Sequence, residues 1–148
     1  LGAEANSVQP EKRPLSSMSP TIVMKEGLPV MSVGAAGGPK IITQSLLAIL
    51  RFIDLQEGIA QAVESPRFHH QWSPNQLLIE DTMDDAVVEK LKALGHRVRR
   101  SRVVGITQAV SRASTIMETQ DRSLLHAVHD PRVPGLAQGW DKSEAPDR

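Results

Sequence analysis

The chain predicts a layered α+β fold, in which strand pairs and helices are segregated instead of alternating strictly. Three observations carry that expectation. Two short β-type runs, residues 21–25 and 29–33, lie a hairpin's length apart; the apolar period changes from two to between three and four at Lys40; and β-type runs return as a group after Val98.

Residues 1–11 are polar, small and aperiodic and predict a flexible lead-in, ahead of one body over residues 12–140 and a polar tail over 141–148. Pro14 and Pro20 restrict the backbone on either side of Leu15-Ser16-Ser17-Met18-Ser19, which favours a defined turn. Glu26-Gly27-Leu28 then separates the two strands, and Gly34-Ala35-Ala36-Gly37-Gly38-Pro39 hands the chain to a helix over 40–52. Ile41, Ile42, Ser45, Leu46, Ile49, Leu50 and Ile53 form its apolar face. Asp54 and residues 57–64 predict a second short helix that stops before Pro66, with Ile59, Ala60 and Val63 on one side. Residues 77–79 read as a strand and 84–94 as a helix with Val87, Val88, Leu91 and Leu94 inward; Asp84 and Asp85 suit its N-terminal end and Gly95 its stop. Val98, Val103 and Val104 punctuate a basic strand region, residues 106–111 and 115–118 continue as β, and a polar turn over 118–122 precedes a last strand over 123–128. No internal repeat is visible.

Composition excludes several function classes. Lys+Arg 17 against Asp+Glu 17 leaves no net charge to attract nucleic acid or an anionic membrane surface. Phe52, Phe68, Trp72 and Trp140 are too few for stacking on bases. Arg97, Arg99, Arg100 and Arg102 cluster without aromatics and suit a solvated strand or a subunit contact better than nucleic acid. Without cysteine there is no disulfide framework, no thiolate nucleophile and no thiolate zinc site. No apolar run approaches the roughly 18 to 20 residues that span a bilayer. His69 and His70 are adjacent, so they point in different directions; a structural place in the 66–72 crossover outweighs a metal site. His126 and His129, three apart in a strand-like segment, do not share a face. Neither a metal nor a cofactor is expected.

Two motifs carry chemistry. Ser16 and Ser17 offer two hydroxyl donors, one for each oxygen of a carboxylate, although a capped turn before Pro20 accounts for the same residues. Gly37 and Gly38 leave backbone N–H groups unobstructed where a reaction develops an oxyanion, although a strand-to-helix turn alone would also want glycine. Spacing at Gly34-x-x-Gly37-Gly38 does not fit a dinucleotide fingerprint. Met18 is expected to pack beneath the serines, Gln108 to be a buried hydrogen-bonding residue, and Arg67 to pair with a buried carboxylate for which Asp130 is a candidate. No side chain is equipped to attack a substrate, so the two motifs make half of an active site.

Arg13 to Val23 around the serines, Gly37-Gly38 with Ile41-Ile42, Pro66-Arg67-Phe68-His69-His70-Gln71-Trp72, Gly95-His96, Gly105-Ile106-Thr107-Gln108 and Asp130-Pro131-Arg132 together resemble the C-terminal part of the small subunit of the γ-glutamyltranspeptidases. The resemblance spans residues 12–140. It implies an N-terminal-nucleophile hydrolase fold, an αββα layered sandwich that is incomplete here because upstream strands are missing. It also implies a precursor that cleaves itself to expose a threonine nucleophile, expected several tens of residues before Leu1. The serines carried over are Ser16 and Ser17, which bind the α-carboxylate of a γ-glutamyl substrate, and Gly37 and Gly38 form the oxyanion hole; Met18, Arg67, Gln108 and Asp130 are support. Ala35 and Ala36 depart from the Ser-Pro that some members carry there.

The activity implied is cleavage of γ-glutamyl amides such as glutathione through a threonyl ester, with transfer to water or to an amino-acid or peptide acceptor. No cofactor is implied. The partners are the rest of the small subunit and the large subunit, and the compartment is periplasmic or extracellular. Two other readings stand beside it: a cephalosporin or glutaryl acylase of the same fold, and a non-catalytic fragment acting as a pairing or scaffold module. Alone, the chain is expected to be inactive for want of the threonine, and to self-associate through sheet surface left uncovered.

Overall fold

The computed structural model describes residues 4–112 and 125–138. After a single exposed 3-10 turn at Glu4–Asn6, the elements are β1 (Thr21–Lys25), β2 (Leu28–Ala36), α1 (Lys40–Ile53), α2 (Ile59–Glu64), β3 (Phe68–Gln71), β4 (Gln76–Glu80), α3 (Asp85–Ala93), β5 (Val98–Ser101), β6 (Ile106–Arg112) and β7 (Leu125–Val128). They form two sheets. One is antiparallel throughout, in the order β1-β2-β6-β7; the other runs β3-β4-β5, antiparallel then parallel. The parallel step from β4 to β5 needs a crossover, and α3 supplies it. The strand over 115–118, the turn over 118–122, the start of the last strand and the tail over 141–148 lie outside the described residues.

β1 and β2 join through a two-residue turn, Glu26-Gly27, with φ of 51° and 76°. Positive φ at both positions gives the turn twist that matches paired strands. β2 runs three residues beyond the expected Val33, because β6 pairs with it from Met31↔Ser111 to Ala36↔Ile106. β3 was not expected at all: the segment reads as a crossover, and only its ladder with β4, Phe68↔Ile79 to Gln71↔Gln76, makes it a strand.

The first sheet buries Met31, Val33 and Ala109 against Ala48 of α1 and Ile59 and Val63 of α2. The second sheet buries Leu77 and Ile79 against Val88 of α3. Three helix faces differ from expectation. On α1 the buried row is Ile41, Gln44, Ser45 and Ala48, whereas Ile42, Leu46, Leu50 and Ile53 form an exposed apolar stripe. Small side chains at 45 and 48 let the helix sit close to its sheet, and Gln44 turns inward to donate from Nε2 to the Phe68 carbonyl at 3.2 Å. On α2 the buried alanine is Ala62, not Ala60. On α3 only Val88 and the half-buried Leu91 face the core; Val87 and Leu94 are exposed, since three short strands cover only a narrow stripe of the helix.

Close approach also fixes the start of β6. Gly105 has φ +79°, and a Cβ there would stand 2.7 Å from Gln44 Cγ and 3.3 Å from the Ala36 carbonyl oxygen. Glycine is required on both counts.

Beneath this junction lies a buried ionic cluster. Arg67 Nη1 meets Asp130 Oδ2 at 2.6 Å, so the pairing considered from sequence is made. The same nitrogen donates to the Gly105 carbonyl at 3.1 Å. Asp130 also accepts from the Thr107 and Arg132 amides, at 2.7 and 3.0 Å. Arg132 bridges Asp130 Oδ1 at 3.1 Å and grips both oxygens of Glu80, at 2.6 and 2.5 Å. Glu80 in turn accepts from the Arg67 and Val104 amides, each at 3.1 Å. The remaining guanidinium donors cover the end of α2: Arg67 reaches the Val63 carbonyl, Arg132 the carbonyls of Val63, Glu64 and Ser65, and Arg51 those of Ser65 and Pro66. Carbonyls at a helix C-terminus have no partner within the helix, and cations there also face the negative end of its dipole.

Burial alone would raise the Asp130 carboxyl, but the Thr107 and Arg132 amides and then Arg67 outweigh it and hold the group below its ordinary 3.8. Burial lowers Arg67 from its ordinary value, and the neighbouring Arg132 adds to that. For Arg132 burial pulls the same way but Glu80 and Asp130 overcome it, leaving the guanidinium raised.

In the intact protein, Asp130→Asn is expected to cost about 3 kcal/mol of stability at neutral pH, because it leaves Arg67 buried without its counter-charge. A depressed carboxyl contributes stability that is complete above the ordinary carboxylate range and is lost as pH falls through the folded value. The gap between wild type and Asp130→Asn therefore narrows below about pH 4, read from denaturant midpoints at pH 7 and pH 3. Gly105→Ala is expected to lower stability by about 2 kcal/mol or more from strain and overlap. At Gly27, which also has positive φ but no atom within 4 Å of a built Cβ, asparagine is expected to cost under about 1 kcal/mol. Thermal melts of the two variants compare them directly.

Candidate active site

The serine motif has no regular secondary structure; its hydroxyls hold its shape. Ser16 Oγ accepts from the Met18 amide at 3.2 Å, Ser19 Oγ donates to the Ser17 carbonyl at 3.2 Å, and Thr21 Oγ1 donates to the Ser19 carbonyl at 3.1 Å. Each is a short side-chain-to-backbone bond of the kind that stabilises turns. Ser16 is exposed and Ser17 half-buried. Met18 does not pack beneath them: its side chain is 75% exposed, because a bracketed turn gives it no floor to lie on.

The glycine motif follows β2 directly. Gly37 and Gly38 have φ of 132° and 62°, and their carbonyls accept from the Lys40 and Ile41 amides at 3.4 and 3.1 Å, which starts α1. With both carbonyls turned to the helix, neither glycine N–H donates to a loop or cap carbonyl among the described residues. A Cβ on Gly37 would lie 3.2 Å from Gly105 Cα, so the two backbones touch there.

The hairpin brings the motifs together. In the register Thr21↔Val33 and Ile22↔Ser32, each step back along β1 is a step forward along β2. Continued outward, that register sets Ser17 level with Gly37 and Ser16 level with Gly38. Ser17 Oγ donates to the Gly38 carbonyl at 2.8 Å across 21 residues of sequence. Two hydroxyls and two backbone N–H groups therefore share one exposed edge of the molecule, a set that can hold a carboxylate and an oxyanion side by side.

Other candidates fall elsewhere. Gln108 is exposed, since β6 alternates and turns Thr107, Ala109 and Ser111 inward; the buried polar position expected of it belongs to Thr107. His69 is buried and His70 exposed, on opposite faces of β3. No group of three or more His, Asp or Glu is placed to hold a metal ion among the described residues. Thr43 Oγ1 lies 2.9 Å from His69 Nδ1, but Thr43 is not part of the wall of the cleft that His69 lines, so the contact orients the ring. Sequence reasoning assigned no role to Glu80 or Arg51, and none to Gly105 or Arg132 beyond their motifs. The acidic end of the apolar run Leu77-Leu78-Ile79-Glu80 was the available sign of a carboxylate carried into the core.

Comparison with known proteins places the chain. A family model for Gamma-glutamyltranspeptidase matches residues 2–140. The glutathione hydrolase proenzyme of Escherichia coli (strain K12) is 43% identical over 141 residues, covering 95% of this chain and 23% of that protein. The chain thus spans under a quarter of that relative's length. The crystal structure of the Helicobacter pylori γ-glutamyltranspeptidase T380A mutant superposes with a TM-score of 0.78 at 37% identity, covering 90% of this chain and 70% of that one. A cephalosporin acylase from Bacillus halodurans shares the fold, with a TM-score of 0.70 at 20% identity over 81% of this chain and 22% of that one. The sheets and helices match the αββα layers of N-terminal-nucleophile hydrolases, as the resemblance implied. On the extent of the family match and the identity to its members, the chain belongs to the γ-glutamyltranspeptidase family.

Proposed function

We propose that the protein containing this chain cleaves γ-glutamyl amides and passes the γ-glutamyl group to water or to an amino-acid or peptide acceptor. The single observation that carries the reading is the Ser17 to Gly38 hydrogen bond, which draws the serine and glycine pairs to one edge. Ser16 and Ser17 take the α-carboxylate of the γ-glutamyl group, for which Ser17 exchanges its bond to the Gly38 carbonyl for one to the substrate. Gly37 and Gly38 donate their N–H groups to the oxygen of the γ-carbonyl as it becomes tetrahedral. Attack comes from a threonine hydroxyl supplied by another part of the protein, whose own amine serves as base. The ester that forms is then resolved by water or acceptor. This chain binds and stabilises; the bond-making group lies in the rest of the small subunit, with the large subunit as a further partner and a compartment outside the cytoplasm.

An acylase reading has the shared fold behind it and nothing at the level of side chains. Activity of the complete enzyme on γ-glutamyl-p-nitroanilide, with none on a glutaryl amide, is the expected result; the reverse pattern would replace this reading. Ser16→Ala with Ser17→Ala is expected to raise KM for the anilide at least about tenfold, as losing two hydrogen bonds to a charged group requires. Expressed alone, the chain is expected to be inactive and to sediment as a dimer or larger, through Ile42, Leu46 and Leu50 of α1 and Ile22 and Met24 of β1, all exposed. A stable monomer at high concentration would count against the second half of that statement.

A further inference from the structure

The cleft between the start of α1 and the second sheet has no part in the reading above. Side chains alternate along β3, β4 and β5, so Leu77, Ile79 and Val98 turn toward α3. His69, Gln71, Gln76, Leu78, Arg99 and Ser101 turn the other way and, with Pro39 and Lys40, line a volume of about 330 Å³. Part of this wall is tied by hydrogen bonds. Gln71 Nε2 donates to the Ser73 carbonyl at 2.7 Å, which leaves its Oε1 facing His69 Nε2 at 3.0 Å. Against that acceptor Nε2 is the donor of the pair, and Nδ1 lies 2.9 Å from the Thr43 hydroxyl.

The charge is one-sided. Lys40 and Arg99 both line the cleft, no carboxylate does, and neither cation makes an ion pair among the described residues. Two cations facing one polar opening without counter-charge suit an anionic ligand. Position narrows the class. Pro39 follows Gly38 in the chain, so the cleft begins one residue beyond the turn assigned to the oxyanion.

We propose that this cleft binds the terminal carboxylate of a peptide lying beyond the reacting carbonyl, with Lys40 and Arg99 as its counter-charges. The inference rests on the γ-glutamyl reading. A carboxylate there belongs either to the peptide that leaves the donor or to a peptide acceptor, and both present the same chemistry to the cleft.

The test uses the complete processed enzyme and its Arg99→Gln, Lys40→Gln and Arg99→Lys variants. Glutathione, whose leaving dipeptide ends in a carboxylate, is compared with γ-glutamyl-p-nitroanilide, whose leaving group has none; glycylglycine as acceptor is compared with glycylglycinamide. Either glutamine variant is expected to raise KM for glutathione or for glycylglycine roughly tenfold, with the anilide and the amide changed less than about twofold. Arg99→Lys keeps the charge and recovers most of the loss. A rise with glutathione alone assigns the site to the leaving peptide, and a rise with glycylglycine alone assigns it to the acceptor. Equal effects on carboxylate and amide partners, or none in either glutamine variant, overturn the proposal. Wild-type enzyme that leaves the anilide uncleaved overturns the γ-glutamyl reading itself, and the subsite with it.

Discussion

The cluster of Arg67, Asp130, Arg132 and Glu80 is the constraint on which the rest of the structure depends. Two guanidinium groups and two carboxylates, all nearly or wholly buried, balance to zero charge and spend their donors on one another and on backbone. Their partners come from the end of α2, from the residue that precedes β3, from β4, from the entry to β6 and from the segment after β7. Such pairs lose much of their attraction to desolvation, but removing one member leaves its partner's charge buried and uncompensated, so the elements they join are held in the arrangement that keeps all four together. Planar forks suit that work, because each guanidinium fixes several directions at once.

The cluster also stands behind the glycine turn. Arg67 holds the Gly105 carbonyl, and the α-carbon of Gly105 is packed against Gly37. From the other side, Asp130 holds the Thr107 amide two residues along. Gly37 therefore rests on backbone that is itself fixed at both ends by buried charge. The oxyanion role proposed for the Gly37 and Gly38 N–H groups would gain from such support, since electrostatic stabilisation depends on donors that need not reorganise.

Much of this was legible in the sequence, and the reasons for the rest are physical. Local signals sufficed for the hairpin at Glu26-Gly27, for the start of α1 after Gly38 and for α3, whose Asp84 caps the Ala86 and Val87 amides as its position promised. That the serine and glycine pairs lie together was readable because a hairpin joins the segments that carry them. What failed were questions of which side faces in. Ile42, Leu46 and Leu50 are as apolar as any core residue, yet the sheet takes Ser45 and Ala48 instead, since closeness of backbone mattered more than greasiness. β3 and the far end of β2 exist only because distant strands pair with them. Gln108 differs from Thr107 by one step along a strand, and nothing local sets the phase. Arg132 was visible within its motif, but its grip on Glu80 spans 52 residues and no spacing rule reaches that far.

The β1-β2 hairpin has two ends with different duties. Its open end carries both chemical motifs, and its closed end is the turn at Glu26-Gly27, where Gly27 has no neighbour within 4 Å of where a side chain would begin. Between them the ladder slips by one residue at Val23/Met24, where the β2 strand carries an extra residue. A bulge of this kind bends the strand that carries it and increases the local twist, which sets the tip off from the open end. The tip is consequently a natural handle, a place to attach a fluorophore, an affinity tag or a surface tether some nine strand residues away from the serine and glycine pairs.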